Sequence, residues 1–238
     1  MRPTKQGSSM SNSVLVVAAH PDDEVLGCGG TIARHVAAGD RIEVAFFTDG
    51  VGARHQEESS AHSESGKIRH QAALRAAEIL GIPDPTWLGF PDNRLDSIDL
   101  LDLVRAVEKL GQRCRPTTVY THWLGDLNID HRLVCQAVMT AFRPMSDCPV
   151  MQIRLFEVPS STEWGDRAVT PAFRPNLYVG IDKFLEVKHR ALDAYDQEMR
   201  PFPHPRSHQA IEALARWRGA ESGMLAAETF VTVLERCP

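Results

Sequence analysis

Two short stretches hold most of the residues in this sequence that could do chemistry. The first, AAHPDDEVLGCGG (residues 18–30), places His20, Asp22, Asp23 and Glu24 directly after an aliphatic run. Three adjacent carboxylates repel one another, and folding alone does not ask for them there. Imidazole nitrogen and carboxylate oxygen are zinc ligands, and a catalytic zinc site takes three protein ligands while keeping one position open for water. His20 and a neighbouring Asp supply two. The second stretch, THWLGDLNIDHR (121–132), carries His122, Asp126, Asp130 and His131 and can supply the third. Taken singly, each stretch also reads as a polar turn before a helix, with Asp130 as an N-cap in the second. Their joint presence favours the metal.

The elements around them must bring the two stretches together. VLVVAA (14–19) is a continuous apolar run of the kind found in a buried parallel strand. A helix follows to Gly39, then a strand over 41–50, then the amphipathic helix SGKIRHQAALRAAEILGI, which Gly81 and Pro83 stop. TWLGF, a helix in IDLLDLVRAVEKLG capped by Asp96 or Ser97, the strand TTVYTHW and the helix DHRLVCQAVMTAF continue the alternation. Such β-α-β repetition predicts a parallel sheet with helices on both faces and a ligand at the strands' carboxyl ends. Both stretches fall at predicted strand ends. After Pro149 the pattern weakens, to strands in QIRLFEVPS and NLYVGID, a helix in KFLEVKHRALDAY, the proline-bounded loop PFPHPRSHQ and a last helix, AIEALARWRGA.

The 238 residues are read as a flexible extension (1–13) and one domain (14–238). A net charge of −5 opposes a general nucleic-acid binder. Five scattered cysteines without a C-x-x-C spacing oppose a disulfide framework or a thiolate zinc site, and suit a reducing compartment. With no run near the ~20 apolar residues of a membrane span, the expectation is a soluble, cytoplasmic protein without a membrane partner; a homo-oligomer is compatible with it.

The pair AHPDDE and THWLGDLNIDH resembles the PIG-L/LmbE-like family of zinc-dependent N-acetyl-sugar deacetylases. The likeness extends to TDG after the second strand, to R…LGI in the following helix and to the late RG…AETF, and so covers most of residues 14–232. The resemblance implies a single-domain, Rossmann-like, mostly parallel sheet in a three-layer α/β/α arrangement. It implies one Zn(2+) per chain on His20, Asp23 and His131, with Asp22 as the general base toward a metal-activated water. An N-acetylated sugar or sugar conjugate is the implied small-molecule substrate. Zinc lowers the pKa of bound water to about 7, so a weak carboxylate base suffices. Glu24 is expected to start the helix, where its charge suits the dipole.

One position departs from the family pattern. Where many members carry a helper histidine, this chain has Asn128, whose amide can donate to an oxyanion but carries no charge. The charge is then expected from His204, in PFPHPRS, or from His122. Asp126 and Asp130 are placed behind the ligands. Arg69 matches a helix arginine that faces substrate, although the acid that often follows it is replaced by Ala72. Asp92 stands where the family contacts a sugar hydroxyl, and Arg54 is a candidate for an anionic group. A dinucleotide reading of GCGGT fails because HPDDE occupies the turn where pyrophosphate would sit. A metal phosphoesterase and a non-catalytic sugar- or nucleotide-binding module remain as alternatives. The first would need more carboxylate ligands than these loops provide, and the second would gain nothing from an uncoordinated base at Asp22.

Overall fold

The computed structural model describes residues 12–50, 64–165 and 170–237. Arg54 and most of the expected extension lie outside them. Five parallel strands, β1 (Ser13–Ala18), β2 (Arg41–Thr48), β3 (Thr86–Phe90), β4 (Thr118–His122) and β5 (Gln152–Phe156), form the body of one sheet. The sheet is extended by β7 (Ala227–Glu235) and then β6 (Leu177–Gly180), giving the order β3-β2-β1-β4-β5-β7-β6. β7 runs antiparallel to both of its neighbours. The helices are α1 (Asp23–Ala37), α2 (Glu64–Leu80), α3 (Leu100–Cys114), α4 (Ile129–Ala141), α5 (Leu185–Asp193) and α6 (His208–Ser222).

β1 shows why the apolar run had to be continuous. Val14, Val16 and Ala18 enter one core, shared with α1, α2 and α5, while Leu15, Val17 and Ala19 enter a second core beneath α3 and α4. A strand covered on both faces has no solvent side on which to place polar residues. Three layers result. The chain leaves β1 toward β2 on one side, while β4 lies on its other side, so the loops after β1 and β4 diverge. That point of reversal opens a crevice at the strands' carboxyl ends.

Glycine lets α1 approach the sheet. A Cβ on Gly27 would stand 2.4 Å from the Phe156 ring. The helix cap expected at Asp96 or Ser97 lies instead at Asp99, because residues Leu95–Ser97 form a separate short 3-10 turn. Asp130 is likewise not a cap. Asn128 caps α4, its Oδ1 accepting from Asp130 N at 2.8 Å. The sequence pattern does not reveal β7, which begins at AETF. Its partners, β5 and β6, are remote in sequence, and one face of it is exposed toward its end. Among the described residues no helix is long and apolar enough to cross a membrane.

Candidate metal centre and active site

The turn between β1 and α1 is built around an unusual backbone. Asp22 has φ 112° and ψ −31°, a region that residues with a Cβ seldom adopt. Its N–H donates to Glu24 Oε2 at 3.0 Å, and its carbonyl accepts from Leu26 N at 2.9 Å. Held this way, Asp22 and Asp23 take different surroundings although they are neighbours in the chain. Asp23 Oδ2 accepts from His20 N at 2.9 Å and turns into the protein.

The second loop meets it there. His20 Nδ1 lies 3.2 Å and His131 Nε2 3.3 Å from Asp23 Oδ2, and the two nitrogens are 3.2 Å apart. One ligand atom from each of the three residues falls within 4.8 Å of the others. Asp23 Oδ1 is buried without a hydrogen-bond partner. Two imidazoles, one carboxylate and an unused carboxylate oxygen suit a divalent cation, and the donor types are those of zinc.

Carboxylates stand behind both imidazoles. His20 Nε2 is 3.1 Å from Asp92 Oδ1 and 3.2 Å from Asp130 Oδ2, and His131 Nδ1 is 3.1 Å from Asp126 Oδ1. With those ring nitrogens protonated, the opposite lone pairs turn toward Asp23 and would be free for an ion, the arrangement that fixes tautomer and ring orientation in metal sites. His20, Asp92 and Asp130 also fall within 4.8 Å of one another. Their oxygens are committed elsewhere: Asp130 accepts from Asn93 N (2.7 Å) and Leu95 N (3.1 Å), and Asp92 from Thr48 Oγ1 and Asn93 Nδ2 (both 3.1 Å). They buttress His20 rather than form a second cation site.

The electrostatics agree. Burial pushes the Asp23 carboxyl up, but the charge and hydrogen bond of His131 and the hydrogen bond of His20 outweigh it and hold it well below its usual range. Burial lowers both imidazoles, yet their carboxylate partners raise His20 well above its ordinary value and His131 to about 9. A divalent ion held by these residues would compete with those protons, and its binding would release them.

Asp22 stands outside the ligand group. Its Oδ2 is 2.8 Å from Arg206 Nη1 and 3.5 Å from Arg69 Nη1. Burial raises its pKa and Arg206 opposes that rise. Arg69 is 7% exposed; it donates to Pro21 O at 2.8 Å and pairs with Glu198. It therefore packs behind Asp22, and its acidic partner is Glu198 in place of the acid that Ala72 does not supply. Glu24 does stand in the first turn of α1, but as a buried carboxyl, hydrogen-bonded by Tyr195 OH at 2.7 Å and pushed by burial up to about 8, so the charge expected to suit the dipole is suppressed.

The expected helpers take different parts. His122 is wholly buried, accepts from Ala19 N at 2.8 Å and stacks on His131 with centroids 4.0 Å apart. Burial and the His131 charge hold it well below its ordinary pKa, so it is a neutral wall. Asn128 uses its amide as a cap and donates from Nδ2 to Asn93 Oδ1 at 3.2 Å. His204 meets Trp164 edge-on at 5.9 Å and accepts from Arg206 N at 3.1 Å. The proline-bounded loop does reach the site, but with Arg206, which Ser160 Oγ steadies by accepting from Nε at 2.7 Å. The sequence marks this loop by its prolines but not its arginine, nor Glu198, Tyr195, and the hydroxyls of Ser161 and Thr162 that donate to Asp126. Asp92 is 2% exposed and lies against His20.

Known proteins resemble this chain in sequence and in fold. The family model PIG-L, GlcNAc-PI de-N-acetylase, matches residues 15–142. The chain is 30% identical over 185 residues to the uncharacterized deacetylase YaiS of Escherichia coli K12, covering 75% of this chain and 88% of that one. It is 28% identical over 222 residues to the diacetylchitobiose deacetylase of Thermococcus kodakarensis, covering 90% and 80%. The crystal structure of the conserved protein TT1542 from Thermus thermophilus superposes with a TM-score of 0.74 at 26% identity, over 95% of this chain and 97% of that one. With both motifs meeting at the strand ends and the family model spanning more than half of the sequence, the chain belongs to the PIG-L family of deacetylase hydrolases.

Proposed function

We propose that this protein is a zinc-dependent N-deacetylase that hydrolyses the acetamide of an N-acetylated amino sugar or sugar conjugate, with one ion per chain held by His20, Asp23 and His131. The observation that carries the reading is the division of labour between adjacent carboxylates. Asp23 lies among the imidazoles, whereas Asp22 faces two arginines and is left outside the ligand group. When bound, the ion supplies Lewis-acid activation of water and of the amide carbonyl. Asp22 accepts the proton of the attacking water and returns it to the leaving amine nitrogen. Its raised pKa suits both halves of that transfer, and Arg206 and Arg69 hold the carboxylate in place. Asp92 and Asp130 orient His20, and Asp126 orients His131.

The substrate class is supported by the family, GlcNAc-PI de-N-acetylases, and by the likeness to the diacetylchitobiose deacetylase of Thermococcus. A two-ion phosphoesterase is not favoured, because the oxygens of Asp92 and Asp130 are already occupied by protein donors. The test is acetate release from a panel of N-acetyl sugars by zinc-loaded protein, with metal content measured in parallel. Asp22→Asn is expected to keep the metal and lose most turnover, and Asp23→Asn to lose both. Equal metal occupancy in the two variants would refute the division of roles.

A further inference from the structure

α1 is broken in its interior. Cys28 has φ −148° and ψ 22°, away from helical values. An unbroken helix would join Gly30 N–H to the Leu26 carbonyl. Here each end of that bond is met by a side chain from elsewhere in the fold. Gly30 N donates to Glu228 Oε1 at 2.9 Å and Thr31 N to Glu228 Oε2 at 2.6 Å, while Leu26 O accepts from Lys188 Nζ at 2.9 Å. Lys188 on α5 and Glu228 on β7 pair with each other at 2.6 Å. They are 3% and 5% exposed. The ion pair thus stands in the gap of the helix, caps the carbonyl of the first half and caps the N–H groups of the second.

The first half is the part that carries the chemistry. Asp23 lies five residues, about 7.5 Å of helix rise, before the break, and Asp22 and His20 precede it. On either side of the break Gly27 faces Phe156 and Gly30 faces Ile181, each too close for a Cβ. The direction of the short first segment is therefore set by β5 on one side and by the inserted pair on the other. We infer that the Lys188–Glu228 pair positions the reaction centre, fixing the bend of α1 so that His20 and Asp23 meet His131 and Asp22 stays outside the ligand group. This rests on the reading of those four residues given above. It assigns a role to the acid of the late AETF motif, far from the metal motifs in sequence.

The test uses the full-length chain with Glu228→Gln, and with Lys188→Met/Glu228→Leu as a second variant that leaves no buried unpaired charge. Zinc affinity is measured by competition with a chromophoric chelator, alongside kcat, KM and Tm. Leu103→Ala, in the core beneath α3, serves as a control that loses stability without touching α1. Both pair variants are expected to bind zinc about 10- to 100-fold more weakly, the range seen when groups that orient metal ligands are removed. At saturating zinc they should lose kcat with little change in KM. Variants whose zinc affinity and kcat do no worse than the control overturn the inference, whatever their Tm. If Glu228→Gln does not fold, the double variant decides by the same two readouts. If wild-type protein releases acetate from no sugar in the panel, the deacetylase reading fails, and zinc affinity alone still decides the role of the pair.

Discussion

Replacing Glu24 with glutamine is expected to stabilise the metal-free protein at alkaline pH while leaving the turn around Asp22 intact. Burial is the largest influence on this carboxyl and pushes it from an ordinary 4.5 up to about 8; the Asp22 charge adds to the rise, and the hydrogen bonds from Tyr195 OH and Asp22 N–H oppose it. The folded chain therefore binds a proton that the unfolded chain releases between those two values. A group of this kind contributes stability below its unfolded pKa and loses it as pH rises through the folded one. The gap from 4.5 to about 8 puts on the order of 5 kcal/mol at stake once the folded carboxyl ionises. Glutamine never ionises. Its oxygen can accept the Asp22 N–H that Oε2 now takes at 3.0 Å, and its NH2 can face the Tyr195 oxygen at the 2.7 Å contact. Chelator-treated wild type and Glu24→Gln, unfolded in urea across a pH series, should converge in acid, separate as pH rises from about 4.5 to about 8, and stay apart by a constant amount above it. Glu24→Gln should keep turnover when reloaded with metal. Glu24→Ala should lose it about tenfold or more, because nothing then holds the Asp22 N–H and a backbone strained by about 1–3 kcal/mol can relax. A stability gap independent of pH, or one that closes in alkali, would refute the reasoning.

Further outcomes concern Asn128 and the two side chains of the proline-bounded loop, Arg206 and His204. Asn128→Ala should lower stability by about 0.5–2 kcal/mol, the value of a helix N-cap, and leave kcat nearly intact, as thermal unfolding and steady-state kinetics will show. Arg206→Met should cost about 10- to 100-fold in turnover, since it removes a charge-assisted hydrogen bond worth about 1.5–3 kcal/mol from a buried carboxylate. His204→Ala should cost less, and the reverse order would mean that the loop serves the reaction through its histidine.

Much of the site was written locally. HPDDE after an apolar strand and NIDH before a helix name His20, Asp22, Asp23 and His131, because a β-α unit carries its strand-end loop with it wherever the sheet is assembled. The alternation of strand and helix through α4 was legible for the same reason: each element's burial repeats with its own period, and β1, covered on both faces, reads as an unbroken apolar run. Tertiary structure decided what depended on meetings between distant segments. No pattern in residues 201–207 distinguishes Arg206 from His204 as the side chain that reaches Asp22; only the folding of that loop beside Ser160 and Glu198 does. Glu24 starts α1 as its place in the sequence suggests, but its carboxyl is buried under Tyr195, just past the end of α5. The break in α1 is invisible in VLGCGGTIARHVAAG, since the groups that satisfy it, Lys188 and Glu228, arrive from 160 or more residues away. Sequence determines which chemical groups are available and which turn each occupies. Which of them lose water, and therefore which are charged, neutral or paired, is decided by the segments that pack over them.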